Sequence, residues 1–147
     1  MTILTSENIA DLTQEIWSAM LSEHAPLMPG DAPAGDIQAA VDIAGEWNGT
    51  VGLSCSRDAA RIATGAIFGL PDDEITEADI SDAVGELANV VSGNIKSLVP
   101  GPSTLSVPQL HDGSWTDHPG RLALVLEVRF SWVDEPVVVR VWTDDPH

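Results

Sequence analysis

Residues 37–55 read IQAAVDIAGEWNGTVGLSC, and the fold class turns on this stretch. Ile37, Ala39, Val41 and Ile43 alternate with other residues, as do Val51, Leu53 and Cys55, with Gly45-Glu46-Trp47-Asn48-Gly49 between the runs. A period of two sends successive side chains to opposite faces of a strand, and two such strands around an Asn-Gly turn form a hairpin. The C-terminal end repeats the pattern. Leu122, Leu124, Leu126, Val128, Phe130 and Trp132 alternate, and after Asp134-Glu135-Pro136 so do Val137, Val139 and Val141.

Outward from the first hairpin the period changes to that of helices. Ile9, Leu12, Ile16 and Met20 are spaced for one helix face within residues 6–21, with Ser6 as N-cap. Residues 24–35 hold three prolines and two glycines and read as a loop. Residues 57–70 place Ala59, Ile62, Ala63, Ala66 and Ile67 on one face and close on Gly69 and Pro71. The acidic stretch 72–79 suits the dipole of a helix start, and the longest periodic segment then runs to Val99, where Pro100-Gly101-Pro102 ends it. Residues 103–120 read as a strand around Leu105 and Val107 followed by a polar excursion. The order is α-ββ-α-α-βββ. Strands joined by hairpins are antiparallel, so the expectation is an α+β fold: one domain over residues 1–147, an antiparallel sheet built from hairpins with helices packed on one face.

Composition excludes several functions. Six Lys+Arg against 23 Asp+Glu give a net charge of −17, and no Lys or Arg precedes Arg57. There is no basic stripe to neutralise phosphates, so neither nucleic acid nor an anionic membrane surface is an expected partner. Glu7, Asp11 and Glu15 interrupt the N-terminal apolar positions, no window approaches a membrane span, and one cysteine, Cys55, suits a reducing compartment. A cytoplasmic location follows as the expectation.

The long helix reads DISDAVGELANVVSGNIKSLV over residues 79–99. At about 100° per residue, Glu86, Asn89 and Gly93 fall within about 40° of Asp82 on one narrow stripe. Ile80, Val84, Leu87, Val91, Ile95 and Leu98 cluster opposite. The stripe therefore faces solvent on a convex helix. Gly85 and Gly93 each cost about 1 kcal/mol relative to alanine in a helix interior; Gly93 on the stripe removes bulk where a partner could approach, while Gly85, off the stripe, fits close helix packing as well. By spacing alone, an exposed Glu-x-x-Asn pair reads as a hydrated helix face, as most such pairs are.

The string Asp82-x-x-x-Glu86-x-x-Asn89-x-x-x-Gly93-Asn94, with the upstream hairpin and Ala-rich helix, resembles the signature of the CheC/CheX/FliY family of response-regulator phosphatases, and most resembles its single-site CheX branch. The resemblance implies hydrolysis of the aspartyl phosphate of a two-component receiver domain, in chemotaxis or related signalling. It implies Glu86 and Asn89 as catalytic, with Asp82, Gly93 and Asn94 supporting. An acyl phosphate is already activated, and the receiver is expected to hold Mg2+, so this chain needs no metal or cofactor of its own; what is missing is an aligned water. Asn89 suits that task because its amide adds no charge beside the phosphoryl group, and Glu86 suits pairing with a receiver lysine. Asn94 projects towards the core edge and reads as an amide bonding the neighbouring sheet or loop. The earlier helix lacks Glu-x-x-Asn, so one site is expected, and the CheX-like layout implies a homodimer through sheet edges. The alternative is a non-catalytic module of the same fold that binds a receiver or a flagellar-type partner.

Of the remaining residues, His24, His111, His118 and His147 have no metal-ligand spacing, and His111 and His118 read as loop residues facing solvent. Cys55 reads as a small core hydrophobe. Trp132 and Trp142 fit strand faces, whereas Trp47 and Trp115 fall in a turn and a loop, at partial burial.

Overall fold

The computed structural model describes residues 4–22, 24–31, 35–112, 118, 120 and 122–144, so Trp115 and His147 lie outside the described residues. Among the described residues three α-helices are present: α1 (Ser6–Met20), α2 (Arg57–Phe68) and α3 (Glu77–Lys96), the last preceded by a 3-10 turn at Asp72–Glu74. Seven strands follow the order β1 (Met28–Pro29), β2 (Ile37–Gly45), β3 (Gly49–Cys55), β4 (Ser103–Leu105), β5 (Gln109–Asp112), β6 (Ala123–Trp132) and β7 (Glu135–Thr143). They form one antiparallel sheet in the order β1-β6-β7-β3-β2-β4, with β5 also on β2. The α+β architecture expected from the hairpins is the one observed.

One sheet face carries the core. Ile37, Ala39, Val41 and Ile43 of β2, Val51, Leu53 and Cys55 of β3, and Val137, Val139 and Val141 of β7 join Phe130 and Trp132 against the buried faces of all three helices. Burial pushes the Cys55 thiol up to about 12, which leaves it inert. In α1 the buried face is rotated from the expected one. Thr13 and Trp17 are buried beside Ile9 and Ile16, while Leu12 and Met20 are half-buried. Thr13 satisfies its hydroxyl by donating to the Ile9 carbonyl at 2.7 Å, and Trp17 meets Trp132 edge-on at 5.9 Å. The N-cap is Thr5, one residue before Ser6. Gly69 ends α2 at φ 66°, a left-handed conformation that glycine adopts without cost.

The central part of the opposite sheet face is also buried. Gln38, Thr50, Ser54, Val138, Arg140 and Trp142 are each at most 6% exposed. His118, expected in solvent, lies here. Thr50 Oγ1 donates to Asp42 Oδ1 at 2.7 Å and so accepts from His118 Nε2 at 2.8 Å, while His118 Nδ1 accepts the Gly120 N–H. Both ring nitrogens are used in the neutral form, and burial lowers the pKa of the ring. His111 is in β5, opposite Gln38. Trp47 is 2% exposed rather than partly so; its ring folds over Gly49, where any Cβ would collide with it.

The C-terminal hairpin departs from strict alternation. A register shift between Leu124 and Leu126 pairs them with Trp142 and Val141, so Leu124 faces away from the core and is 43% exposed. Its turn is Val133-Asp134, both at positive φ, as a two-residue hairpin turn requires, and not the Asp134-Glu135-Pro136 read from the sequence. Glu127 accepts across this hairpin from Arg140 at 2.7 Å and along its own strand from Arg129 at 2.7 Å, with the Arg140 side chain 7% exposed. The hydrogen bond from Arg140 leads in holding the Glu127 carboxyl below its ordinary range. A carboxylate lowered in the folded state contributes stability above its unfolded pKa and loses it as pH falls through the folded one. Urea unfolding measured across the acid range should show that loss, and Glu127→Gln should flatten it; an unchanged acid slope would contradict the pairing.

Candidate functional site

The site is built on α3, whose start is fixed by local chemistry. Thr76 Oγ1 accepts from the Asp79 N–H at 3.2 Å and Asp79 Oδ2 accepts from the Thr76 N–H at 3.0 Å, a complete capping box. Glu77 and Asp79 in the first turn and Lys96 in the last suit the helix dipole. Ile80, Val84, Leu87, Val91 and Ile95 are buried against the sheet and the neighbouring helices. That seam turns Asp82, Glu86 and Asn89 outward, and all three are exposed. None of the three makes a hydrogen bond or ion pair to another described residue. Glu86 and Asn89, three residues apart, are about 4.5 Å apart along the axis and leave their polar ends available to a partner.

The stripe is not simply convex, as its sequence suggests. Ser81, Asp82, Gly85, Glu86 and Asn89 form one side of an open cleft of about 290 Å³, and Pro108 and Leu110 form the other. Gly85 is its floor. A Cβ there would lie 3.5 Å from Pro108 Cβ and 3.7 Å from Leu110 Cδ2, ordinary contacts, so helix packing does not demand the glycine. A Cβ on Gly93 would meet only Leu105, at 4.0 Å. Both glycines thin the helix where it faces β4 and β5. Asn94 corrects its expected role: it is exposed, and Nδ2 donates to the Val90 carbonyl of its own helix at 2.9 Å.

The far wall was missed in the sequence because residues 103–120 show too short a period to reveal β5. Two strands share one neighbour here. β4 pairs with Ile43, Ala44 and Gly45 and β5 with residues 37–40, so both lie end to end along β2. Pro108 between them was the available signal, since proline cannot donate to a ladder and marks a break. Among the described residues no group of three His, Cys, Asp or Glu could hold a metal ion, and no helix is long and apolar enough to cross a membrane. The lining contains carboxylates, an amide and a hydroxyl but no Lys or Arg, so it suits a ligand that brings its own cation.

Gly85→Ala should raise thermal stability by about 1 kcal/mol, or about 3 °C in Tm, while narrowing the cleft floor. A fall in Tm would show that packing does require the glycine.

The family profile described as "Chemotaxis phosphatase CheX" matches residues 37–124, a span that includes the whole stripe and the Pro108 wall. Solved structures agree in fold. The chemotaxis protein CheX from Desulfovibrio desulfuricans is 21% identical, covers 95% of this chain and 98% of its own, and superposes with a TM-score of 0.74. CheX from Vibrio vulnificus is 17% identical over 92% of this chain and 93% of its own, with a TM-score of 0.75. CheX from Borrelia burgdorferi, solved in a CheX-CheY-BeF3-Mg+2 complex, is 18% identical over 95% of this chain and 97% of its own, with a TM-score of 0.73. No curated protein matches the chain. With more than half of its length matched by the profile and the cleft on its signature helix, this chain belongs to the CheX family of chemotaxis phosphatases.

Proposed function

We propose that this protein hydrolyses the aspartyl phosphate of a two-component receiver domain. The observation that carries the reading is the pair Glu86 and Asn89, exposed and without internal partners, on a helix whose rotation is fixed by its buried side. In the proposed reaction the amide oxygen of Asn89 accepts a hydrogen bond from a water and aligns it opposite the leaving carboxylate. The water oxygen bonds to phosphorus as the bond from phosphorus to the aspartyl oxygen breaks. The receiver regains its carboxylate, inorganic phosphate departs, and the water's proton passes to the phosphate or solvent. A neutral amide orients the water without adding charge beside the phosphoryl group. Glu86 pairs with a lysine of the receiver and fixes its register, while Asp82 adds negative charge to the same groove and Gly93 leaves room beyond Asn89. In this reading the Mg2+ needed for phosphoryl chemistry belongs to the receiver; the Borrelia burgdorferi relative, solved with CheY, BeF3 and Mg+2, supports that kind of partner.

The decay of a phosphorylated receiver, followed with and without this protein, tests the reading. Asn89→Ala should lower kcat by about 10²-fold or more with binding retained. Glu86→Ala should raise KM by about tenfold. Unchanged turnover in Asn89→Ala would refute the mechanism, and retention of the receiver without turnover in the wild type would favour a binding module instead.

We also infer a homodimer through a sheet edge. Among the described residues β1 covers β6 only at Phe130 and Ser131, which leaves residues 123–128 with an open outer edge carrying Leu124 and Val125 at 43% and 38% exposure. Light scattering should give twice the 15.6 kDa chain mass, and Val125→Pro should shift it to that of one chain. A monomeric wild type would refute the dimer.

A further inference from the structure

We propose that Val107 is a docking contact for the receiver, seated against an apolar patch beside its acyl phosphate, and that the Val107-Pro108 ridge sets the affinity of the site. The inference rests on the phosphatase reading above. Val107 is 78% exposed, well beyond the 53% of Met28 or the 44% of Phe68 among the large apolar side chains. A single exposed valine is ordinary on a protein surface. The position of this one is not, because it adjoins Pro108, which with Leu110 walls the cleft opposite Asp82, Glu86 and Asn89.

The ridge is held in place before any partner arrives. The Ser106 N–H donates to the Asp42 carbonyl at 2.9 Å, and the Asp42 N–H donates to Ser106 Oγ at 2.9 Å, which clamps the ridge to β2. Ser106 Oγ in turn donates to the Val107 carbonyl at 3.1 Å. Pro108 restricts Val107 to extended backbone and has its own φ fixed by its ring. An apolar side chain presented on a clamped segment loses little freedom on binding.

Charge identifies the occupant. The cleft lining holds two carboxylates and no cationic side chain, so a free anionic metabolite is repelled. A metal-bound acyl phosphate flanked by a lysine is attracted. A macromolecule that brings such a group to Asn89 must lie across the ridge, because the ridge is the opposite lip of a cleft only about 290 Å³ in volume. Apolar contact at that lip excludes water from the charged pairs beside it, the arrangement found where a few residues dominate binding.

The test measures phosphate release against receiver concentration. The probes are the receiver domains encoded in the same genome, each phosphorylated with acetyl phosphate in the presence of Mg2+. Val107→Ala should raise KM about tenfold and leave kcat within about twofold, with Val107→Asp raising KM further. Phe68→Ser, which removes an exposed apolar side chain from α2, should leave KM at the wild-type value. Because Val107 is exposed, both Val107 variants should melt close to the wild type. If KM is unchanged in both Val107 variants while Asn89→Ala abolishes turnover, this inference is overturned and the phosphatase reading stands. If KM rises equally in Phe68→Ser, the effect is not one of the ridge and the inference is likewise overturned. If the wild type accelerates the decay of no receiver, the phosphatase reading fails and carries this inference with it.

Discussion

The burial of Ile80, Val84, Leu87, Val91 and Ile95 on one side of α3 fixes the rotation of that helix, and the rest of the site depends on it. Each such side chain contributes about 1.5–3 kcal/mol when fully buried. Turning the helix by a single residue would move the row by about 100°, exposing these side chains and driving Asp82 and Glu86 towards the core. The combined loss would be comparable to the stability of a whole domain, about 5–15 kcal/mol. Nothing in the environment of Glu86 and Asn89 needs to hold them in place, since the opposite side of the helix does so. That explains how two polar side chains without internal partners can still be well positioned.

The second wall of the cleft has a different origin. β2 is nine residues long, and its outer edge is occupied by two short strands in succession instead of one. Between them Ser106 is tied to Asp42 by two hydrogen bonds, while Pro108, with no N–H to give, cannot continue the ladder. The chain has to bulge at this point, and the bulge carries Val107 outward and Pro108 over Gly85. A break in strand pairing and two helix glycines therefore produce a cleft where a continuous edge strand against an alanine-bearing helix would leave less space.

On the opposite face of the sheet, two sets of polar groups are linked by hydrogen bonds. Arg140 is nearly enclosed and is matched across the hairpin by Glu127. Thr50 links Asp42 to the neutral ring of His118, which packs at 5.8 Å from Trp142. A buried ion pair is weak evidence of stability, but loss of one partner is costly because the other charge stays behind.

Both the helix and the hairpins were legible because their periods are local. The alternation in residues 37–55 and the spacing from Ile80 to Ile95 need no tertiary information, and from them came the antiparallel sheet, the outward stripe and the inward Cys55. Expectation and structure differ where a particular contact, near or far along the chain, decides instead of a period. Trp47 is buried because its ring closes over Gly49, Leu124 changes face at a register shift, and Asn94 caps back onto its own helix instead of reaching the sheet. His118 is drawn in by Thr50, which lies 68 residues away. The sequence by itself determined which residues share a helix face and which strands pair as hairpins, because steric and solvation preferences act over a few residues. Only the tertiary structure decided that Pro108 and Leu110 stand opposite Glu86 and Asn89, since that cleft exists through the pairing of β5 with a strand about 70 residues earlier, which no local period encodes.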